Sequence, residues 1–526
     1  MKNPILVITF RLTNIGTIYY FLISVLRWSK FPERHNMSSP LVAFRNPKSD
    51  LVQIAAAHNE RLRPSRFNAR RVVEDKGLIL FNTFTGALGI FKASMRPNVE
   101  ALLSKSGVPR SADPLLEYLL ERGFLVPENT NELQQVRYVH GKQHHRTDKM
   151  ELILLPSEEC NFRCTYCYEE FPRGTMEPWV REAVVRWVER KIRTLSTMKI
   201  DWFGGEPLLG YEAIQDIAPK VQAMCKEHGV HLIQNITTNA YLLTPNIFNS
   251  LISWGVQDFQ ITIDGPQRSH DTTRILKDGG GGTYDVIIEN LRKITTLPGK
   301  CMISLRINFS PDNLPYMDEH LETMKAYFGH DPRFIMRFFP VSKWGGKNDA
   351  NLHTCGISAS GNTRGLEMKA LQAGLQSDDR LQHISPGNDF TLCYAARPFN
   401  FIVGADGKLM KCTLVLDKHD YNIVGTLRPD GRPDVQLDKL VTWVAPYFEE
   451  DASCQKCFFL PVCQGISCPL ERIENNARPC PTEKLEIGPT LDAVWATEKL
   501  RRERGTGLSH DRALVGAGNG PANEMK

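Results

Sequence analysis

One short segment of the chain has an evident capacity for chemistry: CNFRCTYCY, residues 160–168. It places thiols at Cys160, Cys164 and Cys167 and follows the last of them with Tyr168. Cysteine thiolates bind zinc and iron-sulfur clusters, and both kinds of site commonly take four protein ligands. This segment supplies three, so either a fourth ligand comes from elsewhere in the chain or one metal position is open.

Composition indicates a folded protein of several domains. The chain has 526 residues, of which 42% are hydrophobic and 23% are charged, and its formal net charge is +5. Because this mild positive charge is not collected in blocks, we expect no nucleic-acid partner. The 13 cysteines are an odd number and include a Cys-x-x-Cys pair. They favour metal ligation over a disulfide framework and predict a cytoplasmic location.

The N-terminus carries an apolar stretch at residues 12–28. It is interrupted by Asn14 and Gly16, and it falls short of the ~20 continuous apolar residues that span a bilayer. We interpret residues 1–36 as an extension, with Met37 as an alternative start, and we expect no membrane partner. A membrane anchor is the alternative interpretation.

A small α+β domain is predicted at residues 37–139. Residues 77–92 have the pattern of two strands around a short turn, and residues 99–106 and 113–123 have helical patterns. This arrangement is of the winged-helix kind, and the domain is interpreted either as a structural cap or as a peptide-recognition module. The polar residues 140–149 that follow predict a solvated linker.

The next region, residues 150–345, alternates strand and helix patterns. Six such units predict an α/β domain with a parallel, curved or partly closed sheet and helices outside it. The strand-like runs lie at residues 150–155, 198–203, 231–237, 258–263, 301–309 and 333–339.

Unusual segments follow these runs at the ends where such folds hold their chemistry. The cysteine segment comes after the first run, and GGEP (residues 204–207) comes after the second. Asn239 follows the third run and Asp264 follows the fourth. We therefore expect these segments to lie near one another.

Together these segments resemble the radical S-adenosylmethionine (radical SAM) superfamily. The resemblance implies a partial (β/α)6 TIM-like barrel in which Cys160, Cys164 and Cys167 bind three irons of a 4Fe-4S cluster. The fourth iron is then left for the amino and carboxylate groups of S-adenosylmethionine. It also implies formation of a 5'-deoxyadenosyl radical that abstracts hydrogen. An open metal position is thus the functional arrangement, whereas a zinc knuckle is the competing interpretation.

The same resemblance implies contacts to the cofactor. Tyr168 matches the aromatic residue beside the adenine, and the glycines of GGEP let the backbone approach while its acidic residue receives the methionine amino group. Polar residues at later strand ends match substrate, ribose or carboxylate contacts, with hydrogen-bonded residues that simply end a strand as the alternative. The implied cofactor-binding residues are Tyr168, Gly204, Gly205, Glu206, Pro207, Asn239, Asp264 and Asn308, together with Arg306.

Residues 393–485 contain seven further cysteines with little periodicity between them, which indicates metal ligands in a loop-rich domain. Their order resembles the SPASM extension of radical enzymes that modify peptides, which holds two auxiliary 4Fe-4S clusters. The implied ligands are Cys454, Cys457, Cys463 and Cys480 for the outer cluster and Cys393, Cys412 and Cys468 for the inner cluster.

The inner ligand set departs from the family pattern. Phe399 stands where some members place a fourth inner ligand, so the resemblance leaves one inner iron open. Cys355 is an alternative fourth ligand, whereas Cys225 and Cys301 are interpreted as core residues. Residues 346–392 are predicted to be a connector, and residues 486–526 a C-terminal helix and a disordered tail.

The leading functional hypothesis is modification of a ribosomally synthesised precursor peptide by a thioether, a carbon-carbon cross-link or epimerisation. The implied partners are that peptide and an electron donor such as flavodoxin or ferredoxin. A formylglycine-generating sulfatase maturase is the alternative, but Thr413 stands where those enzymes carry their aspartate base. An iron-sulfur electron-transfer or sensing module is a third hypothesis, and no catalytic side chain is assigned.

Overall fold

The computed structural model describes most of the chain beyond the N-terminal stretch. None of the helices in the described ranges combines the length and apolar composition needed to cross a bilayer. The predicted extension at residues 1–36 and the tail after residue 503 lie outside these ranges. The described residues are 41–45, 60–171, 173–377, 380–386, 393–416, 418, 420–445, 447–465 and 468–503.

The elements are numbered in chain order. The strands are β1 (Leu41–Arg45), β2 (Arg61–Pro64), β3 (Asn68–Val72), β4 (Leu78–Asn82), β5 (Leu88–Phe91), β6 (Val108–Pro109), β7 (Leu125–Pro127), β8 (Lys149–Ser157), β9 (Thr197–Gly204), β10 (His231–Thr238), β11 (Val256–Thr262), β12 (Met302–Phe309), β13 (Phe334–Pro340), β14 (Gln376–Ser377), β15 (Asn400–Val403), β16 (Lys408–Met410), β17 (Ile423–Leu427) and β18 (Pro433–Val435). The α-helices are α1 (Arg96–Leu103), α2 (Pro114–Glu121), α3 (Glu132–His144), α4 (Pro178–Lys191), α5 (Tyr211–His228), α6 (Pro245–Ser253), α7 (Gln267–Thr273), α8 (Tyr284–Thr295), α9 (Met317–Phe328), α10 (Ala359–Ala373), α11 (Arg380–Ile384), α12 (Leu437–Val444), α13 (Ala452–Gln455), α14 (Leu460–Cys463), α15 (Pro469–Asn475), α16 (Thr482–Leu485) and α17 (Ile487–Glu503).

The central sheet confirms the predicted α/β architecture. Strands β8 to β13 lie side by side in chain order, and every neighbouring pair is parallel. Side chains in β9 alternate between buried and half-buried, so that Ile200 and Trp202 pack into the helix-covered core while Lys199 and Asp201 lie on the opposite face. Because the strands are parallel, their carboxyl ends meet at one edge and bring the predicted segments together.

A second, antiparallel sheet belongs to the N-terminal region. Its strand order is β1-β5-β4-β3, and the predicted hairpin at residues 77–92 is formed by β4 and β5. One face packs on α1 and α2 through residues such as Leu80 and Phe91. The other face packs on α11, α14 and α17 through residues such as Ile79 and Phe81. This second face and the three helices form a shared apolar core that joins the sheet to the C-terminal region.

The prediction of a solvated linker at residues 140–149 is wrong for its first part. Helix α3 continues to His144, and the side chain of His140 is only 6% exposed. The ring of His140 packs edge-on against Phe448, with 5.3 Å between ring centroids. The sequence pattern missed this helix because its buried face is built from isolated residues, Val136 and His140, and not from an apolar stripe.

The prediction of a loop-rich C-terminal region also needs correction. Strand β15 pairs in parallel with β8, and β16, β17 and β18 extend the central sheet in antiparallel fashion. In the predicted connector, β14 adds to the opposite edge by pairing in parallel with β13. These strands are two to five residues long, too short to give a visible periodicity in sequence.

Candidate active site and auxiliary cysteine groups

The first cysteine loop begins directly after β8 and is held by a neighbouring segment. Residues 161–165 pair with residues 273–277, which follow α7. The backbone N–H of Arg163 donates to the carbonyl of Ile275 at 2.8 Å, and other bonds extend the pairing on both sides. The loop that carries the three thiols is therefore a fixed ribbon.

Glu159 anchors the start of this loop. Its carboxylate accepts hydrogen bonds from the Cys160 backbone N–H at 2.8 Å, from Arg163 Nη2 at 2.7 Å and from Lys277 Nζ at 2.9 Å. Burial opposes ionisation, but the bonds from Lys277 and Arg163 lower the pKa of Glu159 to about 2. The carboxylate therefore stays charged and ties the loop to the segment after α7.

The three thiols form one group. Burial raises the pKa of Cys160 and Cys164, and it raises the pKa of Cys167 to about 12. The Cys164 thiol acts electrostatically on both others, so it lies near both. A bound cluster would supply the positive charge that deprotonates such buried thiols.

The described residues do not form a single-ion site. Within the described ranges, no three His, Cys, Asp or Glu side chains converge closely enough to hold one metal ion. An iron-sulfur cluster makes a different demand, since each thiolate binds a separate iron and the sulfur atoms are spread around the cluster. The donor chemistry of Cys160, Cys164 and Cys167 fits the implied cluster.

The glycines of GGEP allow a close approach between two strand ends. Gly204 has a φ of +123°, and a Cβ there would lie 2.2 Å from the carbonyl oxygen of Ser157. A Cβ at Gly205 would lie 2.7 Å from the carbonyl group of Glu159. The backbone N–H of Glu206 donates to that same Glu159 carbonyl at 3.0 Å. In this structure the glycines therefore bring the segment against the start of the cysteine loop.

Replacement of Gly204 by alanine is expected to lower the midpoint of thermal unfolding and to reduce iron in the first cluster. The backbone conformation alone costs about 1–3 kcal/mol for a non-glycine residue, and the contact with Ser157 adds a steric clash. Gly279→Ala is the matched control, because Gly279 has a φ of +70° but nothing within 4 Å of its Cβ position. Equal losses in both variants would contradict the importance of the close approach.

The side chain of Glu206 joins the second and third strand ends. It is fully buried, and burial raises its pKa. One carboxylate oxygen accepts from the Leu208 backbone N–H at 2.9 Å and from Thr238 Oγ1 at 2.7 Å. The other accepts from the Asn239 backbone N–H at 2.7 Å. A role in receiving the methionine amino group stays a prediction.

Pro207 and Asn239 complete this corner of the site. Pro207 is buried and begins a 3-10 turn that ends at Gly210. The Asn239 side chain donates to Asn161 Oδ1 at 2.7 Å, and its nitrogen lies 3.9 Å from the Cys160 sulfur. The third strand end therefore reaches the first cysteine directly.

Tyr166, which the sequence interpretation did not single out, links the cysteine loop to the fourth and fifth strands. Its hydroxyl donates to Asp264 Oδ2 and accepts from Arg274 Nη1 at 2.9 Å and from Asn308 Nδ2 at 3.2 Å. Asp264 also accepts from the Asn308 backbone N–H at 2.8 Å. The sequence offered one signal for this role, because Tyr166 is a polar aromatic residue between Cys164 and Cys167.

Arg274 balances the charge of this network. Asp264 is 1% exposed and Arg274 is 6% exposed, so both ionisable groups are buried. Burial raises the pKa of Asp264, and the Arg274 charge acts in the opposite direction. The Arg274 guanidinium also lies over the ring of Phe162, 5.4 Å from its centroid. The network therefore fixes the middle of the cysteine loop.

Tyr168 lies between the first cysteine loop and the C-terminal region. Burial raises its pKa, and the thiols of Cys167 and Cys412 act in the same direction. Gly346 packs on its backbone, since a Cβ there would lie 2.7 Å from the Tyr168 Cα. Arg306 is also in electrostatic range. The adenine contact of Tyr168 stays a prediction, but its position connects two cysteine groups.

Arg306 is stacked and oriented by two neighbours. Its Nε donates to Asn308 Oδ1 at 2.9 Å, and its guanidinium lies 4.0 Å from the centroid of the Phe339 ring. The predicted ribose and carboxylate contacts are thus joined to the Tyr166 network through Asn308. Their contacts to a cofactor stay predictions.

The four predicted outer ligands lie around one cavity. Cys454, Cys457, Cys463 and Cys480 all line a cavity of about 120 Å³. The Lys484 ammonium, which also lines it, donates to the Cys480 sulfur at 3.0 Å. The structure therefore brings together the four thiols that the SPASM pattern assigns to one cluster.

The three predicted inner ligands form a second group. Burial raises the pKa of Cys412 to about 12, and the thiols of Cys393 and Cys468 act in the same direction. Burial also raises the pKa of Cys393, and Cys468 again contributes. Cys468 lines the outer cavity as well, so it lies between the two groups.

Cys355 stands apart from this inner group. Burial raises its pKa and a hydrogen bond with Asn362 opposes the increase, with no contribution from a cysteine of the described ranges. Cys225 is 1% exposed and lies in the barrel core, as predicted, while Cys301 is half-buried at the edge of that core. Cys393, Cys412 and Cys468 are therefore the candidate inner ligands among the described residues.

The N-terminal sheet reaches the outer cysteine group. Arg66 and Thr83 hydrogen-bond to the backbone carbonyls of Gln455 and Phe458, which lie on either side of Cys457 in sequence. The outer cysteines Cys457 and Cys463 pack against the apolar core that the sheet shares with the C-terminal region, and Cys454 packs against a neighbouring cluster that includes Phe67 and Phe448. The outer group is thus built against the N-terminal region.

Comparison with known proteins identifies the family of the barrel. The Radical SAM superfamily matches residues 154–324. Over 202 residues the chain is 33% identical to GTP 3',8-cyclase of Haemophilus ducreyi, which covers 37% of this chain and 53% of that protein. Over 185 residues it is 26% identical to an uncharacterized protein of Methanocaldococcus jannaschii. This match covers 34% of this chain and 58% of that protein. The chain spans somewhat more than half the length of these curated relatives.

Two solved structures are similar to this chain at low identity. One is native anSMEcpe with bound AdoMet and Cp18Cys peptide, at 17% identity over 67% of this chain and 97% of that chain, with a TM-score of 0.45. The other is Streptococcus suis SuiB bound to precursor peptide SuiA. The two are 13% identical over 79% of this chain and 97% of that chain, with a TM-score of 0.42.

The family match falls on the part of the chain that carries the first cysteine group. Residues 154–324 begin within β8 and end within α9, so they include the cysteine loop, GGEP and the Tyr166 network. The predicted resemblance is confirmed there. Residues 154–324 therefore match the radical SAM superfamily, a family that uses a 4Fe-4S cluster together with S-adenosylmethionine.

Proposed function

We propose that this protein is a radical SAM enzyme with a SPASM domain that modifies a ribosomally synthesised peptide through a thioether, a carbon-carbon cross-link or epimerisation. The observation that carries the proposal is the division of the seven C-terminal cysteines into two thiol groups beside the radical SAM domain. The inner group adjoins Tyr168 through Cys412, and the outer group surrounds its own cavity. Two groups that adjoin at Cys468 match the need for two auxiliary clusters.

Cys160, Cys164 and Cys167 would hold the first 4Fe-4S cluster, with S-adenosylmethionine at its open iron. When bound, these cofactors supply a 5'-deoxyadenosyl radical that abstracts a hydrogen atom. The chain keeps the cysteine loop in place through Glu159 at its start and through the Tyr166 network at its middle. An electron donor such as flavodoxin or ferredoxin, in a reducing cytoplasm, is the proposed partner.

The N-terminal region would recognise the leader of the precursor peptide. Strand β3 ends the order of its sheet, and an edge strand can accept an added peptide strand through backbone hydrogen bonds. Arg70 on this strand is exposed, whereas the exposed Arg71 already pairs with Asp492 of α17 at 2.5 Å. A leader bound there would sit on a sheet whose other contacts reach the outer cysteine group.

Formylglycine formation has less support because the position after Cys412 lacks a base. Thr413 Oγ1 lies 2.7 Å from the Tyr394 hydroxyl, which also accepts from the Thr413 backbone N–H at 2.9 Å. Burial raises the pKa of Tyr394 well above its ordinary value, so this phenol stays protonated at neutral pH. Neither group can remove a substrate proton as a carboxylate would.

The proposal is tested with reconstituted, reduced protein under anaerobic conditions. We expect 5'-deoxyadenosine when S-adenosylmethionine is added, and a change in mass or stereochemistry when a precursor peptide encoded beside the gene is included. Peptide digestion with mass spectrometry and chiral amino-acid analysis separate the three products and would also detect formylglycine. Full iron content without any 5'-deoxyadenosine would instead support an electron-transfer or sensing module.

A further inference from the structure

Lys411 directly precedes the inner ligand Cys412 and has no exposed surface. Its ammonium donates to the backbone carbonyls of Arg397 at 2.7 Å and of Asn400 at 2.6 Å. It also lies 5.1 Å from the centroid of the Phe401 ring. Carbonyls and a ring solvate a cation only in part, and a fully buried lysine ordinarily has a counter-charge.

The carboxylate in electrostatic range of Lys411, that of Glu151, is already paired with another cation. Glu151 accepts from Arg397 Nη1 at 2.7 Å on both oxygens and from Asn400 Nδ2 at 2.9 Å. Because Arg397 already pairs with Glu151 at 2.7 Å, Lys411 has no carboxylate partner of its own among the ion pairs of the described residues.

The thiol of Cys393, a predicted inner ligand, and the ring of His144 are also in electrostatic range of Lys411. Lys411 thus lies behind the inner thiol group, with Cys412 next to it in sequence and Cys393 next to it in space. A bound cluster with thiolate ligands carries negative charge, and reduction adds one more. A buried cation at this place would stabilise the reduced form more than the oxidised form.

We propose that Lys411 is the counter-charge of the inner auxiliary cluster and raises its reduction potential. This inference rests on the proposed function, because it takes Cys393, Cys412 and Cys468 as cluster ligands. Lys411 is a positioning residue, since it acts on the cluster through charge and does not contact substrate. Charge and hydrogen bonding around the sulfur atoms are the levers by which a protein sets such a potential.

The test compares Lys411→Met with Lys408→Met in reconstituted protein that lacks the first cluster. Met has nearly the length of Lys without the charge. Lys408 begins strand β16, three residues before Lys411, but it is half-buried and paired with Asp406 at 2.8 Å. The background carries alanine at the three cysteines of the first loop, so that only auxiliary clusters contribute. Electron paramagnetic resonance followed through a redox titration gives the potential, and Cys412→Ala identifies the inner signal.

We expect Lys411→Met to make reduction of the inner cluster at least about tenfold less favourable, a decrease of about 59 mV for a one-electron couple. Lys408→Met should leave that potential unchanged. An inner signal with unaltered potential in Lys411→Met would overturn the proposal.

A failure of Lys411→Met to assemble the inner cluster is resolved by Lys411→Arg, which keeps the charge. Recovery of the inner signal in the Arg variant would support the role of charge. Loss of the signal in both variants would show that packing and not charge is required, and the proposal would be wrong. If Cys412→Ala removes no signal from the background protein, then no inner cluster is present. That result would contradict the SPASM assignment itself. The two failures are therefore distinguishable.

Discussion

Replacement of Cys164 by alanine is expected to abolish cleavage of S-adenosylmethionine and to remove about four of about twelve iron atoms. The Cys164 thiol lies near both other thiols of the first loop, and only three thiolates are available there to hold the cluster. The auxiliary groups use other cysteines and should keep their iron. The measurements are 5'-deoxyadenosine by chromatography and iron by chemical assay.

Cys225→Ala is the matched control for this experiment. Cys225 is also buried, but burial alone raises its pKa, and no other cysteine of the described residues acts on its thiol. It should retain both cleavage and iron. Full retention of cleavage in Cys164→Ala would contradict the assignment of the first cluster, while loss of all iron would show that the three groups do not assemble independently.

The second large effect is expected from Cys468→Ala, which should lose the iron of the inner cluster and abolish peptide modification. Cys468 acts electrostatically on both Cys393 and Cys412. Removing it leaves two inner thiols, too few to hold a 4Fe-4S cluster against exchange. Iron content and the electron paramagnetic resonance spectrum report the loss, and cleavage of S-adenosylmethionine should persist.

Cys355→Ala is the comparison that decides whether the inner cluster has an open iron. Since no cysteine of the described ranges acts on Cys355, we expect unchanged iron content and an unchanged spectrum. An open iron could bind a substrate thiolate, which would favour thioether formation. Loss of a cluster in Cys355→Ala would identify a fourth ligand, limit the inner cluster to electron transfer or structure, and favour a carbon-carbon link or epimerisation. The radical SAM domain does not depend on either result.

The sequence alone was enough to predict the barrel and the place of its first cysteine group. Strands such as β9 and β12 and the helices between them are specified by local periodicity, which neighbouring residues carry along the chain. A cysteine segment that follows the first strand of a parallel sheet must lie at the carboxyl edge, whatever the details of packing. For the same reason GGEP, Asn239 and Asp264 were found at the strand ends where they were expected.

Only the tertiary structure decided which side chains meet. Tyr166 and Arg274 are separated by 108 residues. Lys411 is held by the carbonyls of Arg397 and Asn400, which come from an earlier part of the chain. The burial of His140 depends on Phe448, more than three hundred residues further along the chain. Such contacts leave no periodic trace, because each is made by single residues from distant elements. Local sequence pattern therefore determined the sheet and its reactive edge. Packing between distant elements, which sequence spacing does not relate, decided the hydrogen-bond networks, the grouping of the thiols and the position of the buried Lys411.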